Sequence, residues 1–207
     1  MRKIDKGAPI ESFSKFVRTH PHARWEDAKD MRPVWRKYML NCEQHGMSGY
    51  TEEPLKQENS HIDHFRKQSL FNTLVFDWNN FIVDGVDETY GAKFKDKCVT
   101  SREDNDRLLI NPVIEDVRRF FKYELNGNIS VASRLSPSDA ARADYTIRAF
   151  NLNEASLSER RKRIINIVMD YYSNLSDESV LEALEPIGFK SVVEQLLDER
   201  KKEEDSR

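Results

Sequence analysis

The sequence predicts an α+β fold in which short strands and loops lie between helices at both ends of the chain. Residues 9–44 and 136–203 carry apolar side chains at helical spacing, whereas residues 46–96 contain short apolar stretches separated by glycines. Asn126-Gly127 lies between two apolar runs and is a strong signal for the turn of a β-hairpin. Because 207 residues suffice for one hydrophobic core, we expect these regions to pack as one compact unit.

Two helices are predicted in the N-terminal segment, residues 1–45. The first covers residues 9–18 and is ended by His20-Pro21-His22, because proline breaks a helix. The second covers residues 33–44, with Pro33 in its first turn and Gly46 just past its end. We expect the two helices to pack on each other.

Four helices are predicted in the C-terminal region, residues 133–207. Ser136 is a typical N-cap for a helix that ends near residue 150, and the helical pattern continues over residues 157–172, 176–185 and 190–203. The basic run Arg160–Arg163 is interpreted as a solvated helix face in preference to a phosphate-binding surface. The polar residues from Lys201 onward are expected to fray.

The charge balance limits how the chain can bind nucleic acid. It has 33 basic and 36 acidic residues, a net charge of −3. Since affinity for nucleic acid comes largely from neutralised phosphates, such a role requires a local basic patch or a partner.

The chain is expected to be a soluble, cytoplasmic protein. Cys42 and Cys98 are too few for a disulfide framework, which favours a reducing compartment. No stretch of the sequence approaches the roughly 18 consecutive apolar residues of a membrane span, so no membrane association is expected.

Two imidazoles and a carboxylate are concentrated in His61-Ile62-Asp63-His64. In an extended segment, His61 and Asp63 share one face and His64 takes the other. Aspartate supplies a hard oxygen ligand for a divalent cation, and histidine a base that titrates near neutrality, a pair suited to phosphodiester hydrolysis. The competing interpretation is structural, because an isolated pair of this kind is more often a surface feature.

Two downstream segments favour the chemical interpretation. Asn79 and Asn80 interrupt an apolar stretch, where an asparagine can hydrogen-bond across a hairpin and fix the histidine ring. Further along, Lys95 and Asp96 add a cation and a carboxylate that a short helix can return to the site.

Six motifs in fixed order then resemble a known family: M-R-K-I, E-Q before G-Y-T-E, H-I-D-H-F, F-D-W-N-N, Y-G-A-x-x-K-D and I-N-P. The order resembles the HNH nuclease component of Septu-type anti-phage systems, which is also found attached to some retrons. The resemblance extends from Met1 to about Val131, well over half of the chain.

The resemblance implies a ββα-metal (HNH) nuclease module, near residues 46–132, embedded between the N-terminal helices and a C-terminal helical bundle. It assigns Asp63 to the metal, His64 as general base and Asn80 to the central asparagine, with Asn79 as the fallback. His61, which shares the face of Asp63 in an extended segment, is expected to support Asp63 or the adjacent strand. The final ligand of the signature has no clean match; Lys95 and Asp96 are the nearest candidates. Mg²⁺ or another divalent cation is the implied cofactor.

The resemblance also bears on zinc. Relatives look as though they carry cysteines around the G-Y-T-E position and near the helix, forming a zinc knuckle, whereas this chain has Ser48 and Thr51 there. Hydroxyl groups are poor zinc ligands, so no structural zinc is expected.

The implied partners are an ABC- or SMC-like ATPase of the same defence system, a DNA or tRNA substrate, and a retron RNA/DNA assembly where one is attached. The alternative is a catalytically decayed HNH-like adaptor, which binds the ATPase without cleaving; the missing final ligand and missing cysteines fit this interpretation.

Overall fold

The computed structural model describes residues 1–171 and 175–206. Within these residues, helices and two small antiparallel sheets form the predicted α+β fold. The elements in chain order are α1 (Glu11–Thr19), α2 (Arg32–Tyr38), β1 (Ser60–His64), β2 (Phe81–Gly85), α3 (Gly91–Cys98), β3 (Phe121–Tyr123), β4 (Ile129–Val131), α4 (Pro137–Ala149), α5 (Ala155–Tyr171), α6 (Asp177–Leu184) and α7 (Lys190–Asp205). None of the described helices is long and apolar enough to cross a bilayer.

The two N-terminal helices pack around an aromatic core. Phe13 of α1 meets the Trp35 ring of α2 edge-on, with 5.0 Å between ring centroids. The second helix differs from its prediction, because after Tyr38 it widens into a π-helical turn over Met39–Glu43. This core also receives buried side chains from outside the two helices, namely Ala28, Trp78, Phe81 and Val83.

The β1–β2 hairpin has one apolar and one charged face. Asp63 lies opposite Ile82 and His64 lies opposite Phe81, so successive residues of β1 point to opposite sides. The side with Phe81 packs on the aromatic core, while the side with Asp63 faces α3. The predicted separation of Asp63 and His64 onto two faces is confirmed.

The second hairpin and the C-terminal helices largely follow their predictions. Strand β3 pairs with β4 across Asn126-Gly127, and the Ser136 side chain caps α4 by accepting a hydrogen bond from the Asp139 N–H.

The predicted fraying from Lys201 is wrong, because α7 continues to Asp205. Lys201 there forms a 2.6 Å ion pair with Asp177 of α6. Tyr172, the predicted last residue of the helix over 157–172, lies outside the described residues.

Glu52, in the turn formed by residues 47–54, connects both ends of the chain. Its buried carboxylate accepts hydrogen bonds from the amino group of Met1 at 2.9 Å, from the hydroxyl of Tyr123 at 3.2 Å and from the Ser191 N–H at 2.8 Å. Burial raises the pKa of Glu52, but the Met1 ammonium and the hydrogen bonds outweigh it and leave that pKa lowered. The turn therefore joins the start of the chain to β3 and α7.

Arg161 corrects the prediction that Arg160–Arg163 is uniformly a solvated face. Its side chain is buried, and the guanidinium donates to the carbonyls of Gly127 at 2.6 Å and Leu152 at 2.5 Å. Lys162 and Arg163 are exposed, as expected. The guanidinium thus ties α5 to the turn of the β3–β4 hairpin.

We predict that Arg161→Leu lowers the free energy of unfolding by about 3 kcal/mol, because the two carbonyls lose their donor in a buried site. Urea denaturation measures this change. Arg163→Leu, an exposed position two residues away, is the matched control and is expected to change stability little. Equal stability of the two variants would contradict the structural role of Arg161.

Candidate functional site

Asp63 is the buried carboxylate at the centre of the charged face of the hairpin. Its Oδ2 atom accepts hydrogen bonds from the hydroxyl of Tyr50 at 2.5 Å and from Nζ of Lys95 at 2.7 Å. Burial raises the pKa of Asp63, but the Lys95 ammonium and the two hydrogen bonds outweigh burial and leave the pKa below its ordinary value. Asp63 is therefore ionised at neutral pH.

Lys95 fastens α3 to β1. Its side chain is fully buried, and besides Asp63 it donates to the carbonyl of His64 at 2.9 Å. Its ammonium also lies 3.3 Å from Oδ1 of Asp96. As the sequence suggested, α3 returns Lys95 and Asp96 to Asp63. Lys95, however, is fully buried and does not line the cleft described below.

His64 lies on the apolar face with its ring held by a backbone carbonyl. The Nε2 atom donates to the carbonyl of Val75 at 3.0 Å, which leaves the lone pair on Nδ1. The rings of Trp25 and Phe81 meet it edge-on, at centroid distances of 4.6 and 5.1 Å. Burial lowers the pKa of His64 below its ordinary value of 6.5 and outweighs the hydrogen bond that the ring donates to the Val75 carbonyl, which raises that pKa. His64 is therefore a neutral base at pH 7.

Asn80 braces the loop between the two strands. Its side chain accepts a hydrogen bond from the Arg66 N–H at 2.7 Å and donates to the carbonyls of Arg66 at 3.1 Å and Leu74 at 3.2 Å. The expected hydrogen bond to the His64 ring is replaced by the Val75 carbonyl, one residue beyond Leu74. Asn80 thus fixes the loop backbone next to Val75, and the predicted direct contact with the His64 ring is wrong. Asn79, the fallback, is exposed.

A cleft of about 930 Å³ opens beside the hairpin and brings the predicted residues together. The predicted site residues that line it are His61, Asp63, His64 and Asp96. Basic and aromatic residues to which the sequence analysis gave no role in the site also line it, among them His20, Arg24, Trp25, Lys67 and Lys93. No local signal identifies this second set as functional, because its members come from three separate segments of the chain.

The donor groups do not form a metal site as they are arranged. The Lys95 ammonium lies between the carboxylates of Asp63 and Asp96 and supplies the positive charge there. Among the described residues, no three His, Cys, Asp or Glu side chains are grouped so as to hold a metal ion. A divalent cation that used both carboxylates would have to displace the ammonium.

Ser48 occupies the region where the resemblance implies a cysteine. Its hydroxyl accepts hydrogen bonds from the N–H groups of Tyr50 at 3.1 Å and Thr51 at 2.9 Å, and donates to Asp84 of β2. Asp84 in turn accepts from the Ala92 N–H, in the first turn of α3, at 2.7 Å. This chain of hydrogen bonds joins the turn formed by residues 47–54, β2 and α3.

We predict that Lys95→Met lowers the free energy of unfolding by about 3–5 kcal/mol, because it leaves the Asp63 carboxylate buried without a counter-ion. Urea denaturation measures the loss. Lys97→Met, which removes an ammonium from the same helix but from an exposed pair with Glu88, is the control and should change stability little. Replacing Asp63 by Asn in the Lys95→Met variant is expected to restore part of the loss; Lys95→Met as stable as the parent would contradict this account.

A scan against protein-family models and a search of curated proteins found no match to this chain. Its function must therefore be inferred from the residues of the cleft.

Proposed function

We propose that the chain is an HNH-type endonuclease subunit that hydrolyses phosphodiester bonds in DNA or in a structured RNA such as tRNA. The observation that carries the proposal is His64, a buried imidazole that lines the cleft and whose Nε2 donates to the Val75 carbonyl, which leaves Nδ1 unprotonated in the neutral ring. A hairpin followed by a helix packed on it, with Asp63 and His64 on adjacent positions, also matches the arrangement that the resemblance implies.

In this proposal Nδ1 of His64 takes a proton from a water molecule, and the resulting hydroxide attacks the phosphorus atom. The bond from phosphorus to the leaving sugar oxygen breaks, and that oxygen acquires a proton from solvent. Lys67 and Lys93 at the cleft wall neutralise charge that develops on the phosphate. Asp63 and Lys95 position the strand that carries the base.

A divalent cation and an ATPase partner enter the proposal through the resemblance alone. Asp63 and Asp96 are the expected ligands of the cation, on condition that Lys95 releases them. The expected partner is an ABC- or SMC-like ATPase of a Septu-type defence system, and the net charge of −3 favours a partner that helps to hold the polynucleotide.

The second candidate function is a non-catalytic adaptor, and the position of the Lys95 ammonium between Asp63 and Asp96 favours it. Calorimetric titration with Mg²⁺ and Mn²⁺ separates the two candidates. Binding that disappears in Asp63→Ala favours the metal-dependent nuclease. No binding, together with no DNA or RNA ends produced when the chain is expressed with its genomic neighbours under phage challenge, favours the adaptor.

We predict that His64→Ala abolishes cleavage, whereas His61→Ala causes a partial loss. Removal of a general base costs about 10²–10⁴-fold in rate, while loss of a supporting contact costs less. The measurement is cleavage of labelled DNA and tRNA by the co-expressed complex. Circular dichroism and co-purification of the partner verify that both variants fold and assemble. Cleavage by His64→Ala at the parental rate would falsify the mechanism.

The lowered pKa of His64 gives a pH prediction. Because the imidazole must be neutral to act as a base, the acid limb of the pH–rate profile is expected to have its midpoint below 6.5. Below pH 6.5 the unfolded state also binds a proton that the folded His64 resists, so stability falls as the pH drops through this window. Urea denaturation between pH 7 and 5 tests the second effect, and His64→Gln should remove it. A pH–rate midpoint above 6.5 would contradict the assignment.

A further inference from the structure

A second pocket, of about 430 Å³, adjoins the cleft and is called here the side pocket. Trp25, His61, Ile62 and Lys93 line both spaces, so the side pocket and the cleft share a wall. It extends from that wall towards the start of α2.

The side pocket is positively charged although the chain as a whole is slightly acidic. Lys29, Arg32, Arg36 and Lys93 line it together with His61, and none of the described acidic residues does. Lys29, Arg32 and Lys93 form no ion pair with a described carboxylate, and the Arg32 guanidinium lies over the Trp25 ring, 5.2 Å from its centroid. The pocket therefore holds a concentration of positive charge that the described residues do not neutralise.

Two buried nitrogen atoms of the side pocket lack hydrogen-bond partners. Nε of Arg36 and Nδ1 of His61 are both inaccessible to solvent, and neither is bonded to any described residue. The same Arg36 side chain uses Nη1 to donate to the Ser60 carbonyl at 2.8 Å, so its position is fixed. Since buried donors in proteins are almost always paired, Nε of Arg36 is a donor that the described residues leave unsatisfied.

We propose that the side pocket binds a backbone phosphate of the nucleic-acid strand next to the phosphodiester that lies in the cleft. A phosphate offers only acceptor oxygens and negative charge, the complement of guanidinium and ammonium groups. The shared wall allows one continuous strand to occupy both spaces, and Trp25 at that wall offers a ring on which a base can stack. This inference rests on the proposed nuclease function.

The test is the affinity of fluorescein-labelled single-stranded DNA and RNA, each of about 20 nucleotides, measured by anisotropy at several salt concentrations. The parent is His64→Ala, which prevents cleavage during the measurement. Adding Lys29→Gln and Arg32→Gln is expected to weaken binding about tenfold and to reduce the slope of log K against log salt by about 1.4, the value for two lost phosphate contacts on a single strand.

The matched control adds Lys162→Gln and Arg163→Gln, which remove the same two charges from an exposed part of α5. It is expected to change affinity much less. Equal weakening in the two double variants, or no measurable binding by the parent, would overturn the proposal. Binding of inorganic phosphate that the Lys29 and Arg32 substitutions abolish, while the affinity for the strands stays unchanged, would identify a free-phosphate site and overturn the strand assignment.

Cleavage assays separate failure of this proposal from failure of the nuclease function. If His64→Ala loses cleavage while the Lys29 and Arg32 substitutions leave binding unchanged, only the side pocket is wrongly assigned. If His64→Ala cleaves normally while those substitutions weaken binding, the pocket stands as a nucleic-acid site and the catalytic role of His64 fails.

Discussion

The buried ion pair between Lys95 and Asp63 is the contact on which the geometry of the cleft depends. One ammonium holds the carboxylate of Asp63 and the main-chain carbonyl of His64, so it fixes α3 against β1 at the two residues to which we assign the proposed chemistry. Burying two charges is costly, and the Tyr50 hydroxyl lowers that cost by donating to the same oxygen of Asp63. A pair of this kind contributes a defined position for the strand more than it contributes net stability.

The alternation of a β-strand then gives two adjacent residues opposite environments. Asp63 faces a lysine and is held ionised, while His64 faces aromatic rings, and burial keeps it neutral. Asp63 is therefore ionised and His64 neutral at pH 7, the states that the proposed metal ligand and the proposed general base require. Neither residue could be moved by one position without exchanging these environments.

The parts of the fold that follow from short-range rules could be predicted from the sequence. Asn126-Gly127 specifies its hairpin turn and Ser136 caps its helix, because both act on backbone within a few residues. The faces of β1 follow from alternation alone. The carbonyl of Val75 on the His64 ring, and the burial of Arg161, depend on contacts between segments far apart in the chain, which no local pattern encodes. The convergence of Trp25, Lys67 and Lys93 on one cleft has the same origin.

The turn formed by residues 47–54 means that the residues of the cleft cannot be cut out as a self-sufficient fragment. Excision at residues 46 and 132 would remove the Met1 amino group and the Ser191 N–H from the buried carboxylate of Glu52. An unpaired buried charge would force this turn to rearrange. Tyr50, two residues before Glu52, would move with the turn and withdraw its hydroxyl from Asp63. A bound protein that displaced α7 would also remove the Ser191 N–H from Glu52 and shift the same turn. The distant end of the chain can therefore affect the position of the Asp63 carboxylate through Tyr50.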